Sequence, residues 1–209
     1  MILATEALIR LRDGNARFAS KGQRGEVLVN HPQRNGSVKE QEPFAVILGC
    51  SDSRVPVEIV FDQGLGDLFV IRVAGNVVAP SQVGSVEFAA ERFGTRLVVV
   101  LGHTQCGAVQ ATVDELSQPS EKQSRNLAAI VDRIRPAVAG LLTMDGSLEA
   151  DALARHAVRA NVRTSAENLR HGSAILERLI QRDGLVVVGA EYSLETGIVD
   201  FFDGLPDGA

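Results

Sequence analysis

The stretch FAVILGC, residues 44–50, is a continuous run of apolar residues that ends on a cysteine. Three further stretches share this uninterrupted, β-branched character: LFVIRV (68–73), LVVVLGH (97–103) and LVVVGA (185–190). Runs of this kind are typical of strands buried on both faces of a parallel sheet. Helical patterns lie between them instead of tight hairpin turns, which favours right-handed crossovers. The sequence therefore predicts an α/β fold with a central, mostly parallel four-stranded sheet flanked by helices.

Helices are predicted on both sides of these strands. The N-terminal segment forms an amphipathic pattern with Leu8, Leu11 and Phe18 on one face. After the second strand, Ser81 is a suitable N-cap for a helix that Gly94 would close. We therefore expect a helix at the N-terminus and another between the second and third strands.

The connection from the third strand to the fourth is long and mostly helical. Its periodic run from Leu148 to Ile180 is expected to break near His171 to Ser173. The final segment, VDFFDGLPDGA, predicts an added antiparallel edge strand. The length of 209 residues suits a single domain, 1–209, with an N-terminal helical arm of about 1–40 and an α/β core of about 41–209.

Composition excludes several classes of function. The net charge of −5 and the absence of a basic block argue against nucleic acid as a partner. No apolar stretch approaches the roughly 18–20 residues that span a bilayer, so no membrane association is expected. The N-terminus lacks a basic lead followed by a long apolar block, and we predict a cytoplasmic protein. Two cysteines in such a chain favour a metal or a catalytic thiol over a disulfide framework.

Chemistry-bearing residues follow two of the predicted strands. Cys50 and His103 close the first and third strands and should emerge at the same edge of a parallel sheet, where ligands bind in open α/β folds. Cys106 lies three residues later, at the start of a helix whose N-terminus favours a thiolate. Two thiolates and an imidazole predict a zinc site that needs a fourth ligand.

The fourth position has two candidate occupants. Asp52, two residues after Cys50, could bind the metal and close the site. Arg54 offers the same carboxylate a charge-assisted partner, which would leave the position to water. The two arrangements correspond to a closed structural site and an open catalytic one. A disulfide between Cys50 and Cys106 is a further alternative under oxidising conditions.

Together, CSDSR (50–54), FDQGLGDLFVIRVAGN (61–76) and GHTQCG (102–107) resemble the β-class carbonic anhydrases. The resemblance implies a zinc enzyme that reversibly hydrates carbon dioxide to bicarbonate and a proton by attack of zinc-bound hydroxide. It implies one Zn²⁺ per subunit on Cys50, His103 and Cys106, with Asp52 and Arg54 as the catalytic dyad. It also implies a homodimer or a dimer of dimers, with both subunits lining each cleft.

The resemblance further implies a substrate pocket. Gln41 matches a glutamine that hydrogen-bonds substrate across the interface, and Phe69 matches an apolar cleft residue. The other pocket positions are Ala74, Phe88 and Gly107. Ala74 and Phe88 depart from the valine and tyrosine of plant-type members, and the chemistry is expected to survive these changes in the pocket wall.

Ile47 occupies the position of a tryptophan used by members with an inhibitory bicarbonate pocket. The sequence therefore predicts a constitutively open subtype. Two rivals keep the same zinc site: hydrolysis of carbon disulfide or carbonyl sulfide, and a non-catalytic scaffold with Asp52 permanently on the metal.

Overall fold

The predicted sheet is present in a computed structural model that describes residues 2–21, 41–118, 124–143 and 150–206. The described residues form five strands: β1 (Ala45–Gly49), β2 (Leu68–Arg72), β3 (Leu97–His103), β4 (Val186–Tyr192) and β5 (Val199–Asp203). Their order in the sheet is β2-β1-β3-β4-β5. The first four strands pair in parallel, and β5 is antiparallel to β4. The α/β class, the parallel sheet and the antiparallel edge strand are thus confirmed.

The helices cover both faces of this sheet. They are α1 (Ala4–Lys21), α2 (Val57–Val60), α3 (Pro80–Arg92), α4 (Gly107–Ser117), α5 (Arg125–Thr143), α6 (Ala150–His171) and α7 (Ala174–Arg182). The expected break between the two last helices is confirmed, and Ser173 caps α7 by accepting a hydrogen bond from the Leu176 amide.

The predicted N-cap at Ser81 is wrong. The N-cap lies two residues earlier, at Ala79, which makes no side-chain capping bond, and helix α3 begins at Pro80. Proline suits the first helical position because its φ is already helical and its missing N–H would have no partner there. Gly94 follows the helix with a φ of 67°, as the C-terminal prediction requires.

The apolar core lies on both sides of the central strands. Ala45 and Ile47 of β1 pack in one buried cluster with α1 and α2, and Val46 and Leu48 pack in another with α3, α6 and α7. All four side chains are fully buried, which explains the unbroken apolar run. Ile47 is therefore a core residue of the sheet.

Helix α6 approaches the sheet closely because two strand residues lack side chains. A Cβ on Gly102 would lie 2.5 Å from Val162 Cγ2, and one on Gly189 would lie 2.8 Å from Val162 Cγ1. The two glycines lie on the neighbouring strands β3 and β4, and α6 packs directly against their backbone. This contact fixes the helix directly behind the end of β3.

The first part of the predicted N-terminal arm packs against the core. Leu8 and Leu11 of α1 are fully buried, and Phe18 contacts Tyr192 with ring centroids 6.4 Å apart. Residues 22–40 of the predicted arm lie outside the described residues, and the division at residue 40 stays a prediction. No described helix is long and apolar enough to cross a bilayer.

Candidate metal centre

Three donor atoms meet at the carboxyl edge of the sheet. Cys50 directly follows β1, His103 is the last residue of β3, and Cys106 directly precedes α4. One donor atom from each lies within 4.8 Å of the others, and the two sulfurs are 4.0 Å apart. All three residues are buried, and both cysteines are free. The structure therefore brings together the three residues that the sequence proposes as ligands.

The histidine presents an unused lone pair to this cluster. His103 Nδ1 lies 2.8 Å from the carbonyl oxygen of Thr104. A carbonyl only accepts, so Nδ1 carries the proton and Nε2 is left as an acceptor. Among the described residues, this buried Nε2 has no hydrogen-bond partner. An orphaned acceptor beside two sulfurs has the donor chemistry of a metal ligand.

The two sulfurs compete for protons. The hydrogen bond with Cys106 lowers the pKa of Cys50 to about 4, although burial opposes the shift. The same bond, together with burial, raises the pKa of Cys106. Burial lowers the pKa of the His103 imidazole, but the Cys50 sulfur, the Thr104 carbonyl and Asp52 together raise it by a larger amount. The net effect is a raised pKa. Of the two thiols, Cys50 is therefore the more readily ionised.

Asp52 is held by Arg54. Arg54 Nε lies 3.0 Å from Asp52 Oδ1 and Arg54 Nη2 lies 2.8 Å from Oδ2, a bidentate pair. The Arg54 amide also donates to Oδ1 at 2.9 Å. The guanidinium bonds hold the pKa of Asp52 well below its usual range. Asp52 Oδ2 is 3.9 Å from His103 Nε2, so the carboxylate borders the donor cluster while facing the arginine.

The comparisons with known proteins agree with this site. Residues 45–199 match the family model described as carbonic anhydrase. Carbonic anhydrase 2 of Mycobacterium tuberculosis is 40% identical over 188 residues, which are 90% of this chain and 87% of that protein. The crystal structure of the β-carbonic anhydrase CafA of Aspergillus fumigatus aligns with a TM-score of 0.73 and 25% identity, over 97% of this chain and 91% of that one. The chain belongs to the β-class carbonic anhydrase family.

A second relative extends the match to nearly the whole chain. The carbonic anhydrase of Mycolicibacterium smegmatis is 37% identical over 202 residues, covering 94% of this chain and 92% of its own length. The sequence-based identification of a carbonic anhydrase is therefore confirmed.

Four of the five predicted pocket residues of this carbonic anhydrase family member lie in two groups. Gly107 follows Cys106 in the chain, and Ala74 precedes Gly75, whose amide donates to Cys50 Sγ. Phe69 on edge strand β2 packs against Phe88 of α3, with ring centroids 6.2 Å apart, and Phe88 is 54% exposed. Gln41 is exposed on the segment ahead of β1. The described contacts do not join Phe69, Phe88 or Gln41 directly to the donor cluster.

Three residues that support the donor cluster, Arg72, Gly75 and Asn161, were missed by sequence reasoning. Arg72 Nε donates to the Cys50 carbonyl at 3.0 Å. Asn161 of α6 donates to the Gly75 carbonyl at 2.8 Å, and the Gly75 amide donates to Cys50 Sγ at 3.3 Å. Gly75 has a φ of 67°, which suits glycine. The conspicuous RVAGN segment could have pointed to Gly75, whereas Asn161 carries no local signal.

Proposed function

We propose that this protein catalyses the reversible hydration of carbon dioxide to bicarbonate and a proton, with one Zn²⁺ per subunit on Cys50, His103 and Cys106. The observation that carries the proposal is the buried cluster of two sulfurs and an unpaired imidazole nitrogen beside a carboxylate already held by arginine. Thiolate and imidazole donors together suit zinc. Three protein ligands leave one coordination position open, as catalytic sites require.

The metal supplies one part of the chemistry. Zinc in an open site lowers the pKa of a coordinated water to roughly 7 and so provides a nucleophile at neutral pH. Asp52 and Arg54 supply orientation. Asp52 is ionised at neutral pH and lies beside His103 Nε2. It can therefore accept a hydrogen bond from a water at that position and orient the water toward the carbon atom of carbon dioxide. Arg54 keeps the carboxylate charge away from the ligands.

The substrate is small and apolar, and its pocket is proposed to consist of Phe69, Ala74, Phe88 and Gly107, with Gln41 from another subunit. The ring of Phe88 on α3 is exposed, and it lies beside β2 at the edge of the sheet. These two features support a second copy of the chain packing over this apolar surface. We therefore propose a homodimer or a dimer of dimers. A fully active species with the mass of one chain in analytical ultracentrifugation contradicts it.

The pairing of Asp52 with Arg54 favours the open site over the closed scaffold. Ile47 is buried in β1, and we propose that the site lacks closure driven by bicarbonate. Activity that falls cooperatively as bicarbonate is raised at constant ionic strength would overturn this subtype. The cytoplasmic location stays a prediction, which cell fractionation tests.

The experiment that tests the function is stopped-flow hydration of carbon dioxide over about pH 6.5–9 on protein of measured zinc content. Zinc at one per chain with activity that rises with pH is expected. Cys106→Ala should lose both zinc and activity, because one of three ligands is gone. Gln110→Ala, on the exposed face of the same helix α4, is the control that should retain both. Full activity in Cys106→Ala refutes the assignment.

A further inference from the structure

The β4–β5 loop, residues 193–198, forms hydrogen bonds with the two residues that separate the proposed ligands His103 and Cys106. These residues are Thr104 and Gln105. Thr104 Oγ1 donates to Glu195 Oε2 at 2.9 Å, and Gln105 Nε2 donates to Glu195 Oε1 at 2.8 Å. One carboxylate therefore bonds to both residues of the intervening segment, one with each oxygen.

The contact between the two loops is reciprocal. The Thr104 amide donates to the Tyr192 carbonyl at 3.0 Å, and the Leu194 amide donates to Thr104 Oγ1 at 3.0 Å. Ser193 Oγ donates to Glu195 Oε2 at 3.0 Å and orients the carboxylate from its own loop. Backbone and side chain of Thr104 are thus both fixed from the β4–β5 side.

Gln105 connects Glu195 with the other half of the site. Its φ of 56° lies in the left-handed region, which a residue other than glycine adopts at some energetic cost. Its carbonyl oxygen is 3.4 Å from Arg54 Nη2, the same nitrogen that holds Asp52 Oδ2. A change in the Gln105 backbone would therefore reach both Cys106, the next residue, and Arg54.

The loop that carries Glu195 is itself anchored. Asn15 of α1 is buried, donates to the Gly197 carbonyl at 2.9 Å and accepts from the Val199 amide at 2.8 Å. Within the loop, the Gly197 amide donates to the Ser193 carbonyl at 2.9 Å. Because the loop is anchored, its carboxylate can restrain a neighbouring segment. On a mobile loop, the conformational entropy lost in ordering the loop would offset the hydrogen bonds gained.

We propose that Glu195 is a positioning residue for the metal centre. Through its bonds to Thr104 and Gln105, it fixes the distance between His103 and Cys106. Through the Gln105 carbonyl, it also fixes the position of the Arg54 guanidinium. The inference rests on the proposed function, because it assumes that these residues bind the metal. The hydrogen bonds from its own amide, Thr104 and Ser193 lower the pKa of Glu195, so the carboxylate is ionised near neutral pH. Groups that hydrogen-bond metal ligands directly typically change metal affinity 10- to 100-fold, and because Glu195 acts through the residues between two ligands we expect the lower end of that range.

The test measures zinc release from the loaded protein to an excess of a colorimetric chelator. Glu195→Ala should release zinc about tenfold faster or more. Glu195→Gln should show a smaller effect, because its amide oxygen still accepts from Thr104. Asp200→Ala is the matched control: its carboxylate belongs to β5 of the same hairpin but pairs with Arg159, and its release rate should equal that of the wild type.

A double-mutant cycle identifies the route. Gln105→Asn keeps an amide and suits a positive φ, but its side chain is one methylene shorter. If Glu195 acts partly through Gln105, Glu195→Ala should accelerate release less in the Gln105→Asn background than in the wild type. Fully additive effects on the logarithm of the rate refute that route.

Spectroscopy distinguishes positioning from a general loss of stability. The visible absorption of the cobalt-substituted protein reports ligand geometry, and we expect it to change in Glu195→Ala while Asp200→Ala keeps the wild-type spectrum. A lower melting temperature with unchanged spectrum and release rate overturns the inference. A wild-type protein that binds no zinc refutes the proposed function instead. The two failures are therefore separable.

Discussion

Replacing Asn15 with alanine should destabilise the protein more than any ordinary surface substitution. The side chain is 4% exposed and donates to the Val60 carbonyl at 3.1 Å and the Gly197 carbonyl at 2.9 Å. It also accepts from the Val199 amide at 2.8 Å. Alanine can make none of these three bonds, and each lost bond costs about 1 kcal/mol net, or more where the backbone group stays buried.

The expected loss is therefore about 3 kcal/mol of unfolding free energy. For a chain of this size, that corresponds to a drop in melting temperature of roughly 6–12 °C. Differential scanning calorimetry at one fixed protomer concentration measures it, because assembly makes melting temperatures depend on concentration.

Asn168→Ala, on the exposed face of α6, is the matched control and should change the unfolding free energy by less than about 0.5 kcal/mol. If Asn15→Ala melts within a degree or two of Asn168→Ala, water replaces the three bonds without cost. The argument that α1 anchors the β4–β5 loop through Asn15 then fails.

Two further predictions concern the sheet and its neighbours. Gly102→Ala should cost about 1–3 kcal/mol in urea unfolding, since its Cβ would lie 2.5 Å from Val162 Cγ2. Gly140→Ala, in helix α5 with no described atom packed within 4 Å of the added Cβ, is the control and should be neutral or stabilising; equal effects would contradict the close packing of α6 on β3. Burial raises the pKa of Glu191 despite Arg159, so its ionisation disfavours the folded state. Relative to Glu191→Gln, the wild type should therefore lose stability as pH rises from about 4.5 through the raised pKa; a relative gain over that range in unfolding experiments would show the opposite sign.

Local patterns were sufficient to predict the sheet and the donor cluster. The apolar runs were continuous because β1 and β3 are covered on both faces, and parallel strands necessarily bring their carboxyl ends to one edge. Cys50 and His103 were therefore predicted to meet from strand positions alone. Strand β4 extends two residues beyond its predicted end because Glu191 and Tyr192 pair with Gly102 and His103 although they interrupt the apolar run.

The supporting contacts could not be predicted in this way. Glu195 lies about 90 residues from Thr104 and Gln105, and Asn161 lies 86 residues from Gly75. Each is a single polar residue in a helix or loop, where such residues are common and carry no periodic signal. Their partners are fixed only once α6 and the β4–β5 loop have packed against the sheet.

The bonds of Asn15 to Gly197 and Val199 join residues 182 and 184 positions apart. During synthesis, α1 is made long before the strands that complete its binding site. At roughly 5–20 residues per second, the ribosome needs on the order of 10–40 s to make the intervening chain. For that time, the side of α1 that will face Tyr192 and the β4–β5 loop has no partner. Completion of the C-terminal hairpin is therefore the step that ends this exposure.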